Sequence, residues 1–229
     1  MSGTSPLSSF SDPESVARYA EGPVRLVPGF HALQTMTRLL LAERASDDAH
    51  VLVLGAGGGL ELKAFADAQP RWRFCGVDPS AAMLDLAKRT LGPLGSRVEF
   101  HEGYIATAPT GPFGAATCLL TLHFLQENER RRTLVELHRR LAPGAACVVA
   151  HHSFPQQDGE KAKWLARFAA FAAASGMPDI TPETAAAMGD RLPVLSPEQD
   201  EKLLREAGFV DAALFYAAFT FRGWVAYKT

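Results

Sequence analysis

Apolar positions along this chain switch between two periods. Val51-Leu52-Val53-Leu54 is a short unbroken apolar run with two β-branched residues, the pattern of a strand buried on both faces. Leu60–Ala68 changes to helical spacing, with Leu62, Phe65 and Ala66 on one face. Residues 72–77 form a second strand-like run. Residues 79–91 then make an amphipathic helix, with Pro79 and Ser80 at its start and Gly92-Pro93 at its end. Third, fourth and fifth strands are predicted over 97–101, 115–120 and 145–150. Between the last two, residues 127–141 form a charged helix with Leu134, Leu137, His138 and Leu141 on its buried stripe. This alternation predicts a parallel sheet with helices on both faces and ligands at the carboxyl ends of the strands.

After the fifth strand the rhythm breaks. Residues 161–175 are a helix with Trp164, Leu165, Phe168 and Phe171 in an apolar stripe; Gly176-Met177-Pro178 stops it, and a second short helix covers 180–188. This excursion, 153–197, sits beside the mouth of the site. A substrate lid, a homodimer surface and an ordinary helix packed on the sheet all fit it. Ser196-Pro197-Glu198-Gln199 reads as a capping box opening a helix over 196–207. Residues 211–220 and 223–228 are strands separated only by Phe221 and Arg222. So short a gap requires an antiparallel hairpin, because a parallel connection needs about a dozen residues.

Length and charge narrow the class. With 229 residues, a 47% hydrophobic fraction and no run of about 18 apolar residues, the chain reads as one globular domain without a membrane span. A net charge of −2 argues against a nucleic-acid partner. The polar start, MSGTSPLSSFSDPES, is no secretory signal. Cys75, Cys118 and Cys147 all fall in apolar runs, which indicates buried free thiols in a cytoplasmic, reducing setting. Their spacing suits no zinc site, and no metal is predicted.

The chemistry concentrates at Gly55-Ala56-Gly57-Gly58-Gly59. A glycine turn between a strand and a helix N-terminus lets backbone N–H groups approach a ligand closely. Asp78, at the end of the second strand, is placed to accept hydrogen bonds from ribose hydroxyls. The dinucleotide fingerprint G-x-G-x-x-G fails, since its sixth position is Leu60 counted from Gly55 and Leu62 counted from Gly57. The observed G-x-G-x-G resembles motif I of class I S-adenosyl-L-methionine (SAM) dependent methyltransferases. That resemblance implies an α/β, Rossmann-like fold: a seven-stranded, mostly parallel sheet with an antiparallel C-terminal hairpin strand. Val53 departs from the family, which usually has an acidic residue there. Its role for the methionine end of SAM falls to Glu61 or to water.

The likeness narrows further. Residues 24–44, the run 120–125 and the tail from Ala207-Gly208-Phe209 to Lys228 resemble the carboxy-SAM synthase family, which converts SAM and prephenate into carboxy-SAM in bacterial tRNA wobble-uridine modification. That family carries an arginine in the insertion that binds the added carboxylate. Its place here falls near Ala185, in a stretch, 184–188, without a basic residue, while Arg191 is off register. An unpaired buried carboxylate is costly, so the chain reads as a relative that uses SAM as a methyl donor. The resemblance places Gly55, Ala56, Gly57 and Gly59 along the methionine and ribose, and Asp78 on the ribose hydroxyls. It places Pro79 and Met83 near the adenine, Gly103 and Tyr104 at the adenine amino group, and Leu120 and Thr121 by the methionine ammonium. Arg18, Tyr19 and Arg25, in the helical cap over 1–45, would fold over the cofactor. Candidate bases toward an oxygen or nitrogen nucleophile are His123 and His151, with His152 beside them, although a histidine at a strand end also serves as a structural group. Phe30, Phe124, Phe154, Trp164 and Phe168 could line a pocket for a small-molecule acceptor or belong to the core. The alternatives are a carboxy-SAM synthase, a non-catalytic SAM-binding module and, disfavoured by Leu60 and the hairpin, an NAD(P) oxidoreductase.

Overall fold

Seven strands form one sheet in the order β3-β2-β1-β4-β5-β7-β6. The structure is a computed structural model and describes residues 22–157 and 159–229. The strands are β1 (His50–Leu54), β2 (Arg73–Asp78), β3 (Val98–Glu102), β4 (Phe113–Leu119), β5 (Leu141–His152), β6 (Phe209–Ala218) and β7 (Phe221–Lys228). β1 to β5 pair in parallel, and β7 inserts antiparallel between β5 and β6. The predicted antiparallel hairpin is present.

Each central strand is buried on both faces, as its unbroken apolar run requires. Val51 and Val53 face one core and Leu52 and Leu54 the other. The first core is covered by α2 (Phe30–Ala42), α3 (Leu60–Ala68), α4 (Ala81–Leu91) and α6 (Glu160–Ala174). The second is covered by α5 (Glu127–Arg140) and α8 (Pro197–Glu206). A one-turn helix, α1 (Gly22–Leu26), precedes α2, and α7 (Pro182–Arg191) packs on α6. The caps follow the sequence: Ser80 Oγ accepts the Met83 N–H, and Ser196 with Gln199 forms the reciprocal capping box of α8. One boundary moved. α5 stops at Arg140 because Leu141 already pairs with Phe113, so Pro143-Gly144 lies inside β5. Cys75, Cys118 and Cys147 are buried free thiols, as expected.

Helices α5 and α8 are joined by a buried ion pair. Arg130 donates to Asp200 and, at 2.9 Å, to the Pro193 carbonyl; both side chains are almost wholly out of water. Burial pushes the Asp200 carboxyl up, but His151 and Arg130 outweigh it and hold it below the usual carboxylate range. A carboxyl depressed in the folded state stabilises the fold above its ordinary pKa and loses that contribution as pH falls through the lower, folded value. Asp200→Ala leaves Arg130 buried and unpaired and should cost about 3–5 kcal/mol in urea unfolding at neutral pH. Removing both charges with Arg130→Met and Asp200→Leu should recover most of that loss. A double variant no more stable than the single one would refute the ion-pair account.

Candidate functional site

The glycine turn is built by backbone bonds at the carboxyl end of the sheet. The N–H groups of Gly55 and Ala56 both donate to the Val77 carbonyl, at 2.8 and 3.0 Å. Gly55 lies at φ +77, and a β-carbon there would sit 2.0 Å from Thr121 Oγ1. The turn therefore touches the end of β4 only because Gly55 has no side chain. Gly59, at φ +81, caps α3 against the backbone of Ala87 on α4, where a β-carbon would meet Cα at 2.8 Å.

Asp78 closes the turn from the other side. One carboxylate oxygen accepts the Gly57 N–H and the other the Ser80 N–H, both at 2.9 Å. Its backbone carbonyl accepts the Gly103 N–H at 3.0 Å, which brings the end of β3 alongside. Burial raises the Asp78 carboxyl, and the two N–H bonds pull it part of the way back.

Beside the turn lies a cleft lined by Pro23, Phe30, Gln34, Gly55, Ala56, Leu60, Glu61, Leu119 and Leu120. Two buried polar side chains on its wall each carry an atom without a hydrogen-bond partner. Gln34 Nε2, a donor on α2, and Glu61 Oε1, an acceptor on α3, have no hydrogen bond. With Gln34 5% and Glu61 8% exposed, water satisfies neither fully. Burial pushes the Glu61 carboxyl up to about 7 against a weaker opposing pull from the Thr117 hydroxyl. Thr117 stands in register with Val53, the apolar residue at the strand position where an acid is usual in the resembling family. The carboxyl at this place comes from the helix rather than the strand.

Most sequence-predicted cofactor residues gather here. Gly55, Ala56 and Leu120 line the cleft, Thr121 backs Gly55, and Gly57, Asp78 and Gly103 form the adjoining ridge. Pro79 is exposed beside them. Tyr104 is 60% exposed, with its carbonyl engaged by Thr107, so its ring is the part available to a ligand. Arg25 is on α1, two residues from the cleft-lining Pro23. Arg18 and Tyr19 lie outside the described residues. Met83, in the first turn of α4, is fully buried and is not among the residues that line the cleft.

The histidines correct the expectation. His151 is 1% exposed and faces the second core, where Nε2 lies 3.2 Å from Asp200 Oδ2 and the ring packs on Trp224. Strand alternation turns it away from the cleft. His152 faces the other core, stacked on Phe221 at 4.0 Å, and burial holds its pKa down at about 3. His123 lies in the turn after β4 with Nδ1 accepting the His152 N–H at 3.4 Å; burial, with the other two histidines and Arg130, holds it well below its usual pKa. Neither His123 nor His151 stands on the cleft wall. Gln34 was missed by sequence reasoning; the available signal was an amide on the buried face of α2, between Leu33 and Thr37. Among the described residues no three metal-ligating side chains converge.

Comparisons with known proteins agree with this geometry. Residues 51–144 match the family described as methyltransferase domain. A carboxy-S-adenosyl-L-methionine synthase from Chromohalobacter salexigens is 28% identical over 95% of this chain and 82% of its own. The enzyme of the same name from Erwinia tasmaniensis is 27% identical over 89% and 85%. Among solved structures, a putative O-methyltransferase from Nostoc punctiforme superposes with TM-score 0.68 at 21% identity over 93% of this chain. This chain spans only 60% of that protein's length. The [4+2]-cyclase SpnF superposes with TM-score 0.68 at 16% identity, over 98% and 94% of the two chains.

Glu61 gives a pH signature. A carboxyl whose folded pKa is raised stabilises the fold least above that value, so stability should fall as pH rises from about 4.5 to about 7. For ligand-free protein at pH 8, Glu61→Gln should therefore be more stable than the parent by up to about 3 kcal/mol, with the advantage gone at pH 4. Equal urea midpoints for the two proteins at pH 8 would remove the buried charge from the account.

Proposed function

We propose that this chain is a SAM-dependent methyltransferase and transfers the methyl group of SAM to an oxygen or nitrogen nucleophile of a small molecule. The observation that carries this reading is the pair of unpartnered groups in the cleft. A buried acceptor, Glu61, and a buried donor, Gln34, suit the ammonium and the carboxylate at the methionine end of SAM. Asp78 is positioned for the ribose hydroxyls, since each of its oxygens keeps a lone pair beyond the backbone bond it accepts. Tyr104 offers a face for the adenine.

When bound, SAM supplies an already activated methyl group on a sulfonium. The protein is then asked for alignment and exclusion of water. Phe30, Leu119 and Leu120 provide the apolar walls that exclude water, and the glycine turn fixes the position. His151 takes no part, being held by Asp200 behind the sheet.

The relatives' names favour a second reading, a carboxy-SAM synthase. The chain's own insertion weighs against it: the stretch 184–188 has no cation, and Ala185 is packed at 1% exposure. Mass spectrometry of SAM incubated with prephenate separates the two, because only a synthase yields the carboxylated product. A cytoplasmic location is supported by three buried free thiols; among the described residues no helix is long and apolar enough to cross a membrane.

SAM and S-adenosylhomocysteine at a hundredfold excess over their dissociation constants should stabilise the protein by about 2.7 kcal/mol, whereas NADH should not. Glu61→Gln should weaken SAM about 10- to 100-fold, the loss expected when a hydrogen bond to a charged group is removed. Asp78→Ala should abolish the ligand-induced shift whatever its effect on the free protein. Stabilisation by NADH alone would overturn the assignment.

A further inference from the structure

A second cluster of polar and aromatic groups lies at the same end of the sheet and takes no part in the cofactor cleft. Trp164, on α6, carries two guanidinium groups: Arg167 lies 4.6 Å and Arg222 5.1 Å from the indole centroid. Neither arginine has a carboxylate within ion-pair distance among the described residues. The indole Nε1–H is shielded from water and has no acceptor. Two like charges on one ring repel each other, and the arrangement is relieved by an anion.

Arg222 is held in place rather than free to swing. Its Nη1 donates to the carbonyls of Phe219 and Phe221 at 2.7 and 2.8 Å, which fixes the guanidinium plane at the start of β7. A planar fork fixed on one side suits bidentate recognition of a carboxylate on the other. The surroundings are aromatic. Phe219, 39% exposed in the turn between β6 and β7, packs 6.0 Å from Phe171 of α6.

Sheet register relates this cluster to the cleft. Leu119 of β4 pairs with Ala150 of β5, and the next β5 residue, His151, pairs with Arg222 of β7. Arg222 therefore starts two strands, about 10 Å, from the cleft-lining Leu120, at the same carboxyl edge. The guanidinium leaves the face of its partner His151 and lies over Trp164, which packs on the first core, the side on which α2 and α3 line the cleft, so an acceptor anchored here by one end extends its other end toward that cleft.

We propose that Arg167, Arg222 and Trp164 form an anion subsite that selects an aromatic carboxylate as the methyl acceptor. This rests on the methyltransferase reading above. The cations come from α6 and β7, not from the stretch 184–188, where the resembling family places its carboxylate-binding arginine.

The test uses Trp164 as its own reporter, since Trp72 and Trp224 are fully buried. Protein saturated with S-adenosylhomocysteine is titrated with benzoate, 4-hydroxybenzoate and phenylacetate, with the matching neutral amides, and with inorganic phosphate, while tryptophan emission is followed. At least one acid should quench emission and bind at least tenfold more tightly than its amide. That preference should disappear in Arg222→Ala and weaken in Arg167→Ala, with S-adenosylhomocysteine affinity unchanged within twofold. The quench should vanish in Trp164→Phe. Equal binding of acid and amide, no binding by any acid, an unaltered Arg222→Ala, or phosphate bound more tightly than every acid each overturns the proposal. If the wild-type protein binds no S-adenosylhomocysteine, the methyltransferase reading fails instead. The same acid titration without that ligand still decides the subsite.

Discussion

Both oxygens of Asp78 accept backbone N–H groups, one from Gly57 in the glycine turn and one from Ser80 at the cap of α4. Together with the Val77 carbonyl, which takes the N–H groups of Gly55 and Ala56, this ties the first loop of the fold to the end of β2. Two neighbouring parts of the site are positioned against that loop. Thr121 can close on it from β4 because Gly55 presents no β-carbon, and α3 leaves it at an angle set by the contact of Gly59 with Ala87. A carboxylate bonded by two N–H groups is also pre-oriented, so a ligand hydroxyl meets an acceptor that does not need to reorganise.

Two buried carboxyl groups show how the protein separates stability from binding. Asp200 is enclosed by Arg130 and His151, and its charged form wins against burial. Glu61 is enclosed by apolar groups and one hydroxyl, and burial wins. The first fixes α5 to α8 behind the sheet. The second is an energetic deficit on the cleft wall, and such a deficit is removed by a bound cation or by a proton. Their opposite pKa shifts follow from their neighbours, not from their depth.

The strands and the hairpin were legible because their signal is local. Apolar runs, a glycine turn, two capping sequences and a gap too short for a crossover fix the elements and the antiparallel hairpin, while the order of the strands was implied by the family resemblance. Residue roles that depend on facing were less legible. His151 stands at a strand end beside the ligand edge, yet alternation turns it to the second core, and its partner Asp200 is 49 positions away in the chain, so no local pattern announces the pair. Met83 has the spacing of a ligand residue and the burial of a core one. Gln34 and Arg222 sit singly among apolar residues. Only the packing of α2 on the cleft, and of α6 on the hairpin, gives them meaning.

Val53 and Glu61 together make the most informative departure from the resembling family. A strand position that is usually acidic is apolar here, and a carboxyl from the first turn of α3 stands over its cross-strand neighbour Thr117 instead. Moving the acid from strand to helix changes its setting more than its location. A carboxyl in the first turn of a helix benefits from the unpaired N–H groups and the dipole, yet Glu61 remains raised, so burial outweighs that help. A ligand ammonium restores the charged form. Binding at this place is then coupled to proton release wherever the pH lies below about 7, and affinity for the ammonium should rise toward neutral pH and level off above it. The pH profile of SAM affinity therefore tests whether the raised Glu61 carboxyl is the group that meets the ligand.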